Sequence, residues 1–434
     1  MNKHHQPILY ILSVCCVFIL ASCSMQKKIA KDAQQAIFSD SNFTSAHVGI
    51  CIYDPASKKY LYNYQGNKYF VPASNTKLLT CYAAMKYLGD SLVGLRYVDK
   101  GNGTIEAEPS GDPTLLHPDF KTQPVFEFLK KNKTVLITDQ NWKEQALGYG
   151  WAWDDFNADY MAERSAMPVY GNIASFNAAG KVVPAYFQKD VEGDISKKSF
   201  TIERDLGANR FVATSSFKKN TAADIPYHTT EKNILIDLLN DTLKTKFEQA
   251  HFTLERLPDV QIIHSQPTDS LLKITMHRSD NFFAEQSLLM VSNERLGVMN
   301  DAKIIDTLLK TDYKEMPQKP KWVDGSGLSR YNLISPQDFV FVLEKMKNEF
   351  AWNRITTILP TGGDGTLGSY YKNYGGKIYA KTGTLSNNVA LSGYVITNKG
   401  KQYIFSVLVN NHQASATAIR KSIEKFITSI IEKY

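Results

Sequence analysis

The sequence predicts an α+β fold: a five-stranded antiparallel sheet with flanking helices, a helical lobe, and a mostly β inserted region. Three observations predict it. Hairpin patterns stand at opposite ends of the chain, near residues 47–64 and 377–410, so one sheet has to be assembled from both ends. The last segment carries Ile419, Ile423, Phe426, Ile427, Ile430 and Ile431, which fall on one apolar face of a helix. Between the ends, residues 101–267 turn to short alternating segments and loops rich in Gly, Asn and Asp.

Taken in order, the chain opens on Lys3 and an apolar run from Ile8 to Leu20. The run is short for a bilayer and is followed by small residues, the pattern of a cleaved export signal. Leu20-Ala21-Ser22-Cys23 resembles the bacterial lipobox, in which the cysteine is diacylglyceryl-modified and becomes the first mature residue; the alternative is an ordinary signal cut near Ala21. An amphipathic helix is expected over Ile29–Phe38, then strands at His47–Tyr53 and Lys59–Tyr64 around the turn Asp54-Pro55-Ala56-Ser57. Helical spacing resumes at Ser74 and runs through Leu78, Leu79, Tyr82, Met85 and Leu88 until Gly89 stops it, so Ser74 opens a helix.

Within the insert, Phe200–Glu203 and Arg210–Phe217 read as strands and Lys232–Leu243 as a helix; a helical lobe follows around residues 268–360. Lys377–Thr384, Val389–Ile396 and Gln402–Asn410 complete the sheet, and the terminal helices are expected on one of its faces. The domain expectation is a signal over 1–22, one domain from 23–100 and 268–434, and an inserted unit over 101–267. No internal repeat or low-complexity tract interrupts this plan.

Composition narrows the function. The formal charge of +7, from 50 Lys and Arg against 43 Asp and Glu, is mild and scattered apart from short runs such as Lys130-Lys131-Asn132-Lys133, so nucleic acid is not an expected partner. Such a surface suits plain solvation, an anionic wall polymer or a lipid face. Of five cysteines, Cys15 and Cys16 leave with the signal and Cys23 takes lipid, leaving Cys51 and Cys81 either paired or as two buried thiols. The nine histidines show no metal-ligand spacing, and no metal or other cofactor is expected. Gly325-Ser326-Gly327 lacks the spacing of a nucleophile elbow and Gly362-Gly363-Asp364-Gly365 follows no Walker pattern; both read as turns or walls of a cleft.

Three segments in one order carry the chemistry: Ser74-Asn75-Thr76-Lys77, Ser279-Asp280-Asn281 and Lys381-Thr382-Gly383. Six other Ser-x-x-Lys spacings occur, so the first motif means little alone, whereas Ser-Asp-Asn and Lys-Thr-Gly each occur once. Three residues apart on a helix, Ser74 and Lys77 share a face, which allows proton transfer. Partial burial, the helix N-terminus and Lys381 would all disfavour the Lys77 ammonium, leaving an amine to deprotonate Ser74, with Ser279 shuttling the proton to the leaving amine. Lys381 and the hydroxyls of Thr382 and Thr384 suit a substrate carboxylate, and Gly383 lets an extended backbone approach the strand edge. The N–H groups of Ser74 and Thr384 are candidates for an oxyanion hole, and Asn281 for orienting the substrate amide. Each residue also has a plainer role: Lys381 as a surface strand lysine, Ser279 and Ser74 as helix caps.

Pro72-Ala73-Ser74-Asn75-Thr76-Lys77, Ser279-Asp280-Asn281-Phe282-Phe283-Ala284-Glu285, Asp324-Gly325-Ser326-Gly327-Leu328-Ser329-Arg330, Asp364-Gly365-Thr366-Leu367 and Lys381-Thr382-Gly383-Thr384-Leu385 together resemble the class C low-molecular-mass penicillin-binding proteins. This is the D-alanyl-D-alanine carboxypeptidase and endopeptidase family of the penicillin-binding protein 4 type. Gly111-Asp112-Pro113-Thr114-Leu115 and Trp151-Ala152-Trp153-Asp154-Asp155 extend the resemblance into the insert. The interval of roughly 200 residues between Lys77 and Ser279 argues against class A β-lactamases, whose first two motifs lie closer.

The resemblance implies a serine β-lactamase/DD-peptidase-like fold. It also implies a Ser74 acyl-enzyme formed on peptidoglycan stem peptides, acylation of the same serine by β-lactams, and a role for Asp155 or Asp154 in holding the free amine of a diaminopimelate side chain. With the lipobox, it implies a periplasmic protein held to a membrane through lipid on Cys23, with Ser24 pointing to the outer membrane. The rival readings are a β-lactamase or esterase on the same scaffold and a catalytically silent wall-binding lipoprotein.

Overall fold

The computed structural model describes residues 25–177, 179–194, 200–214, 222–254 and 259–434. The expectations at Lys3, Ile8–Leu20, Cys23 and Ser24, and the end of the Arg210–Phe217 strand, lie outside these residues. The described chain forms two compact units. One holds the residues up to Asn75 with 315–321 and 332–434, the other Thr76–Lys314 with Trp322–Tyr331.

In the first unit both ends of the sequence enter one antiparallel sheet, in the order Ile378–Leu385, Asn388–Ile396, Gln402–Asn410, His47–Asp54, Lys59–Tyr64. Alternation sorts its faces. Val48, Ile50 and Ile52, with Ile378 and Ala380, point into a core shared with Ile29 and Ile37 of the first helix and with Ile419, Ile423, Phe426, Ile427, Ile430 and Ile431 of the helix Ala416–Lys433. The terminal helices therefore lie on one face, as the apolar spacing predicted. The opposite face carries the helix Pro336–Glu349, started by a Ser335–Asp338 capping box with proline in its first turn. Tyr53 donates to Glu344 at 2.9 Å and Tyr394 to the Leu343 carbonyl at 2.7 Å. The helices Pro336–Glu349 and Trp352–Ile358 thus belong to the sheet unit, although residues up to 360 read in sequence as part of the helical lobe.

The second unit combines the helices Lys77–Tyr87, Thr268–Arg278, Asn281–Leu296 and Asp301–Lys310 with a mixed five-stranded sheet. Its strand order is Lys246–Gln249, Thr134–Ile137, Thr104–Pro109, Ser91–Gly101, Gln261–Pro267, the first three running parallel. Two smaller three-stranded sheets complete the β content expected of the insert, and the expected helix appears as Ile234–Leu243. Buried polar pairing ties insert to helices. Gln286 donates to the carbonyls of Gly111 and Ser165 at 2.7 and 3.0 Å, and Arg164 is ion-paired with Asp301 at 2.7 Å and Glu285 at 3.3 Å. Groups this deeply buried need partners within the protein, and these pairs join the helices after Lys77 to residues 101–267.

Cys51 and Cys81 are both free and buried, and burial pushes the Cys51 thiol well up. Among the described residues no helix is long and apolar enough to cross a membrane.

Candidate active site

Ser74 lies in a 3-10 turn, Ala73–Thr76, that runs directly into the helix Lys77–Tyr87. It therefore precedes the α-helix rather than opening it. Ala73 is fully buried with φ +48°, a left-handed conformation costly for alanine and held by its surroundings. Asn75 shows what holds it. With its amide oriented to satisfy both ends, its nitrogen donates to the Lys381 carbonyl at 2.8 Å and its oxygen accepts from the Ser392 hydroxyl at 2.7 Å and amide at 3.2 Å. The serine turn is thereby pinned to the Lys-Thr-Gly strand.

On that strand, Lys381 and Gly383 face the serine turn. A Cβ on Gly383 would stand 2.7 Å from the Pro72 carbonyl oxygen and 3.1 Å from the amide nitrogens of Ser74 and Asn75. Glycine is required here because the turn itself occupies the space. Lys381 is fully buried, not a surface lysine, and its Nζ donates to the Thr382 carbonyl at 2.7 Å. Thr382 and Thr384 alternate to the other face, where Arg420 of the C-terminal helix donates to the Thr384 hydroxyl. Neither Asn75 nor Arg420 carried a role in the sequence reading; Asn75 stood inside the first motif, and Arg420 left no local signal.

In the second unit Lys77 is fully buried. Its Nζ donates to Asn281 Oδ1 at 2.6 Å and to the Ser326 carbonyl at 2.7 Å. Burial pushes its ammonium down from the ordinary 10.5 to about 8, against the opposing pull of the Asp324, Glu285 and Asp280 carboxylates. Desolvation, not neighbouring positive charge, is the dominant cause.

The Ser-Asp-Asn motif is a junction between two helices. Ser279 ends Thr268–Arg278 in a left-handed conformation, φ +64°, where glycine or asparagine is usual. Asp280 caps the next helix by accepting from Phe283 N at 2.9 Å, and Asn281 is that helix's first residue. The tight turn directs Asn281 to Lys77, while its Nδ2 donates to the Tyr160 carbonyl at 2.9 Å.

The Gly-Ser-Gly turn bears on Lys77 through its backbone. Asp324, fully buried, accepts from Gly327 N at 2.9 Å and Ser329 N at 2.6 Å, and from Trp151 Nε1 at 3.1 Å. Ser326 N donates to Glu285 Oε1 at 2.7 Å, which leaves the Ser326 carbonyl aimed at Lys77. Burial and the Asp324 charge raise the Glu285 carboxyl, partly offset by Arg164. Asp324 and Glu285, quoted in the sequence only as parts of motifs, are thus the groups that shape the lysine's surroundings. An acid three residues before a glycine was the available signal for the first; nothing local announced the second.

Of the paired insert carboxylates, Asp154 is exposed and Asp155 half-buried in the 3-10 turn Trp153–Asp155. Burial pushes the Tyr160 phenol up to about 12, and the neighbouring Asp155 carboxylate adds to the push. Through Tyr160, whose carbonyl holds Asn281, Asp155 is connected to the Ser-Asp-Asn junction.

A family model described as the D-Ala-D-Ala carboxypeptidase 3 (S13) family matches residues 30–430. A D-alanyl-D-alanine carboxypeptidase of Actinomadura sp. (strain R39) is 26% identical over 440 residues, covering 88% of this chain and 81% of that protein. Among solved structures, penicillin binding protein 4 of Haemophilus influenzae aligns with a TM-score of 0.72 at 19% identity, covering 93% of this chain and 99% of that one. A predatory endopeptidase of Bdellovibrio bacteriovorus, solved with an immunity protein, aligns with a TM-score of 0.53 at 14% identity over 89% of this chain and 93% of that one. The α+β architecture with its antiparallel sheet is the fold they share.

Proposed function

The chain belongs to the D-Ala-D-Ala carboxypeptidase 3 (S13) family, and from that premise we propose how its own residues carry out the serine-peptidase reaction on peptidoglycan stem peptides. Ser74 Oγ attacks the carbonyl carbon of the penultimate D-alanine while its proton passes to the neutral amine of Lys77. The tetrahedral oxyanion is held by the N–H groups of Ser74 and Thr384. On collapse the C–N bond breaks, and the departing nitrogen takes a proton from Lys77 by way of Ser279. Water then hydrolyses the Ser74 ester. When the leaving group is terminal D-alanine the enzyme is a carboxypeptidase; when it is the amine of a cross-linked neighbour it is an endopeptidase.

The observation that carries these roles is Lys77: a buried lysine whose ammonium is disfavoured, hydrogen-bonded to Asn281, on the helix that the serine turn runs into. Asn281 orients the substrate amide. Ile378–Leu385 is the edge strand of its sheet, so a terminal carboxylate bound along its outer edge is reached by Lys381 from the serine-turn face and by Thr382 and Thr384 from the opposite face, while Gly383 keeps strand and serine turn in contact. Asp155 is assigned the free amine of the stem-peptide side chain, being half-buried and beside Tyr160. In this scheme residues 23–100 and 268–434 form the penicillin-binding domain and residues 101–267 contribute substrate selection. The same reading places the protein in the periplasm, tethered through diacylglyceryl on Cys23, with Ser24 favouring the outer membrane.

Intact-mass spectrometry with benzylpenicillin, beside a Ser74→Ala control, tests the assignment. A long-lived adduct confined to the wild type, with D-alanine released from a pentapeptide, is expected. Rapid loss of the adduct would make the protein a β-lactamase, and absence of any adduct would make it a silent wall-binding protein. A Lys77→Arg variant that acylates at the wild-type rate would remove Lys77 as base.

A further inference from the structure

One end of the sheet unit is basic. Lys28 and Lys31 of the first helix (residues 25–33), Lys399 and Lys401 of the turn after Asn388–Ile396, and Lys433 of the C-terminal helix surround one concavity of about 690 Å³. Lys28 and Lys31 are three apart and share a helix face. The turn between the strands His47–Asp54 and Lys59–Tyr64 reaches the same end of the sheet, because Tyr53 pairs with Ile404, and it adds exposed Lys58 and Lys59. Asp32 is the acid within the concavity, and it is already engaged by Lys433 at 2.6 Å and by the Tyr434 hydroxyl at 2.7 Å. Exposed Glu432 accepts from Tyr374 on the neighbouring surface. Positive charge at this end is thus concentrated, although over the whole chain it is mild.

The place of this end in the chain matters. Met25 lines the concavity, and Cys23 precedes it by two residues, a reach of about 7 Å. A lipid on Cys23 therefore cannot lie far from the lysines. The serine turn meets the sheet at the other end: Gly383 pairs with Ala390, and six residues of strand, about 20 Å, separate Ala390 from Ile396 and the basic turn.

We propose that this lysine-lined end is a docking surface for an anionic phospholipid membrane, which holds the sheet unit upright so that the Lys381 strand presents its Ser74 end away from the bilayer. An acyl anchor alone tethers the chain without orienting it; lysines close to an anionic surface add an attraction that fixes one face against it. The orientation rests on the reading of Cys23 as lipidated, whereas the affinity of the surface does not, so each is tested separately.

The chain from Ser24 onward contains every described element and has no acyl group. Sedimented with phosphatidylglycerol–phosphatidylcholine vesicles it is expected to bind, to bind phosphatidylcholine alone at least tenfold less, and to release as salt is raised. A variant with Lys28→Glu, Lys31→Glu, Lys399→Glu and Lys401→Glu should lose at least tenfold in partitioning while benzylpenicillin acylates it at the wild-type rate. Equal binding to both vesicle types, no binding, an unaffected variant, or binding to purified peptidoglycan in place of vesicles would each overturn the proposal. Acylation is read in the same samples, so failure of the peptidase reading is seen independently of the vesicle result.

Discussion

At the scale of single residues, burial of Lys77 makes the proposed mechanism depend on pH. With its ammonium brought down to about 8, acylation by benzylpenicillin should rise through pH 7 to 9 and level off above, and stopped-flow acylation rates measure it directly. A rate flat across that range would remove Lys77 as the base. The linkage has a definite sign. Because the folded-state value lies below the unfolded value of 10.5, the unfolded chain binds the proton more tightly between the two, so this group's contribution to stability rises with pH from about 8 to 10.5. Below pH 8 its burial costs the fold on the order of 3 kcal/mol. Gly383 offers a second test. An added methyl would meet the Pro72 carbonyl oxygen at 2.7 Å, so Gly383→Ala should destabilise by about 1–3 kcal/mol and slow acylation, although no catalytic side chain is touched. Thermal melting and acylation read together would show whether both fall.

At the scale of elements, the helix Ala416–Lys433 closes one face of the sheet with six fully buried apolar side chains. Ile427→Ala is expected to destabilise by about 2–5 kcal/mol through lost burial and the cavity left behind. Its effect should appear in urea unfolding, with benzylpenicillin still bound covalently by the folded fraction. The same helix supplies Arg420 to Thr384, so the Lys-Thr-Gly strand is served from both faces: by the Asn75 turn on one and by this helix on the other. Arg420→Ala should therefore weaken capture of a substrate carboxylate, seen as a higher KM for a pentapeptide with little change in kcat. A change in kcat alone would point to strand distortion instead.

At the scale of the whole molecule, the insert is not an appendage. Arg164 lies within residues 101–267 and is almost fully buried against Glu285 and Asp301, with Glu144 at 3.4 Å. Replacing it by methionine leaves those carboxylates buried without a cation, a loss of about 3–5 kcal/mol. Because Glu285 also holds the Ser326 turn, whose carbonyl receives Lys77, Arg164→Met should slow acylation as well as lower the melting temperature. Excising residues 101–267 altogether is expected to yield no cooperatively folding protein. A truncated chain that melts cooperatively and still forms the penicillin adduct would contradict this.

Much of the molecule was legible from local patterns. The period-2 and period-3.6 runs located the five strands of the first sheet and the two terminal helices, and the ordered Ser-x-x-Lys, Ser-Asp-Asn and Lys-Thr-Gly segments identified the acyl-enzyme chemistry. Those signals are short-range: a strand, a helix face or a three-residue motif is written in neighbouring side chains. Partners were not legible. That Asn75 would pin the serine turn to Lys381, that Gly383 is small for the sake of Pro72, and that Glu285 would place the Ser326 carbonyl on Lys77 depend on segments tens to hundreds of residues apart. The grouping of the helices after Lys77 with the insert followed from buried Arg164 and Gln286 contacts that no periodicity encodes. By itself the sequence determined the family, the motifs proposed to carry its chemistry and most of the strands and helices around them; tertiary structure alone decided how dry Lys77 is and what holds each group still, because desolvation and hydrogen-bond partnership arise only when distant segments close around a side chain.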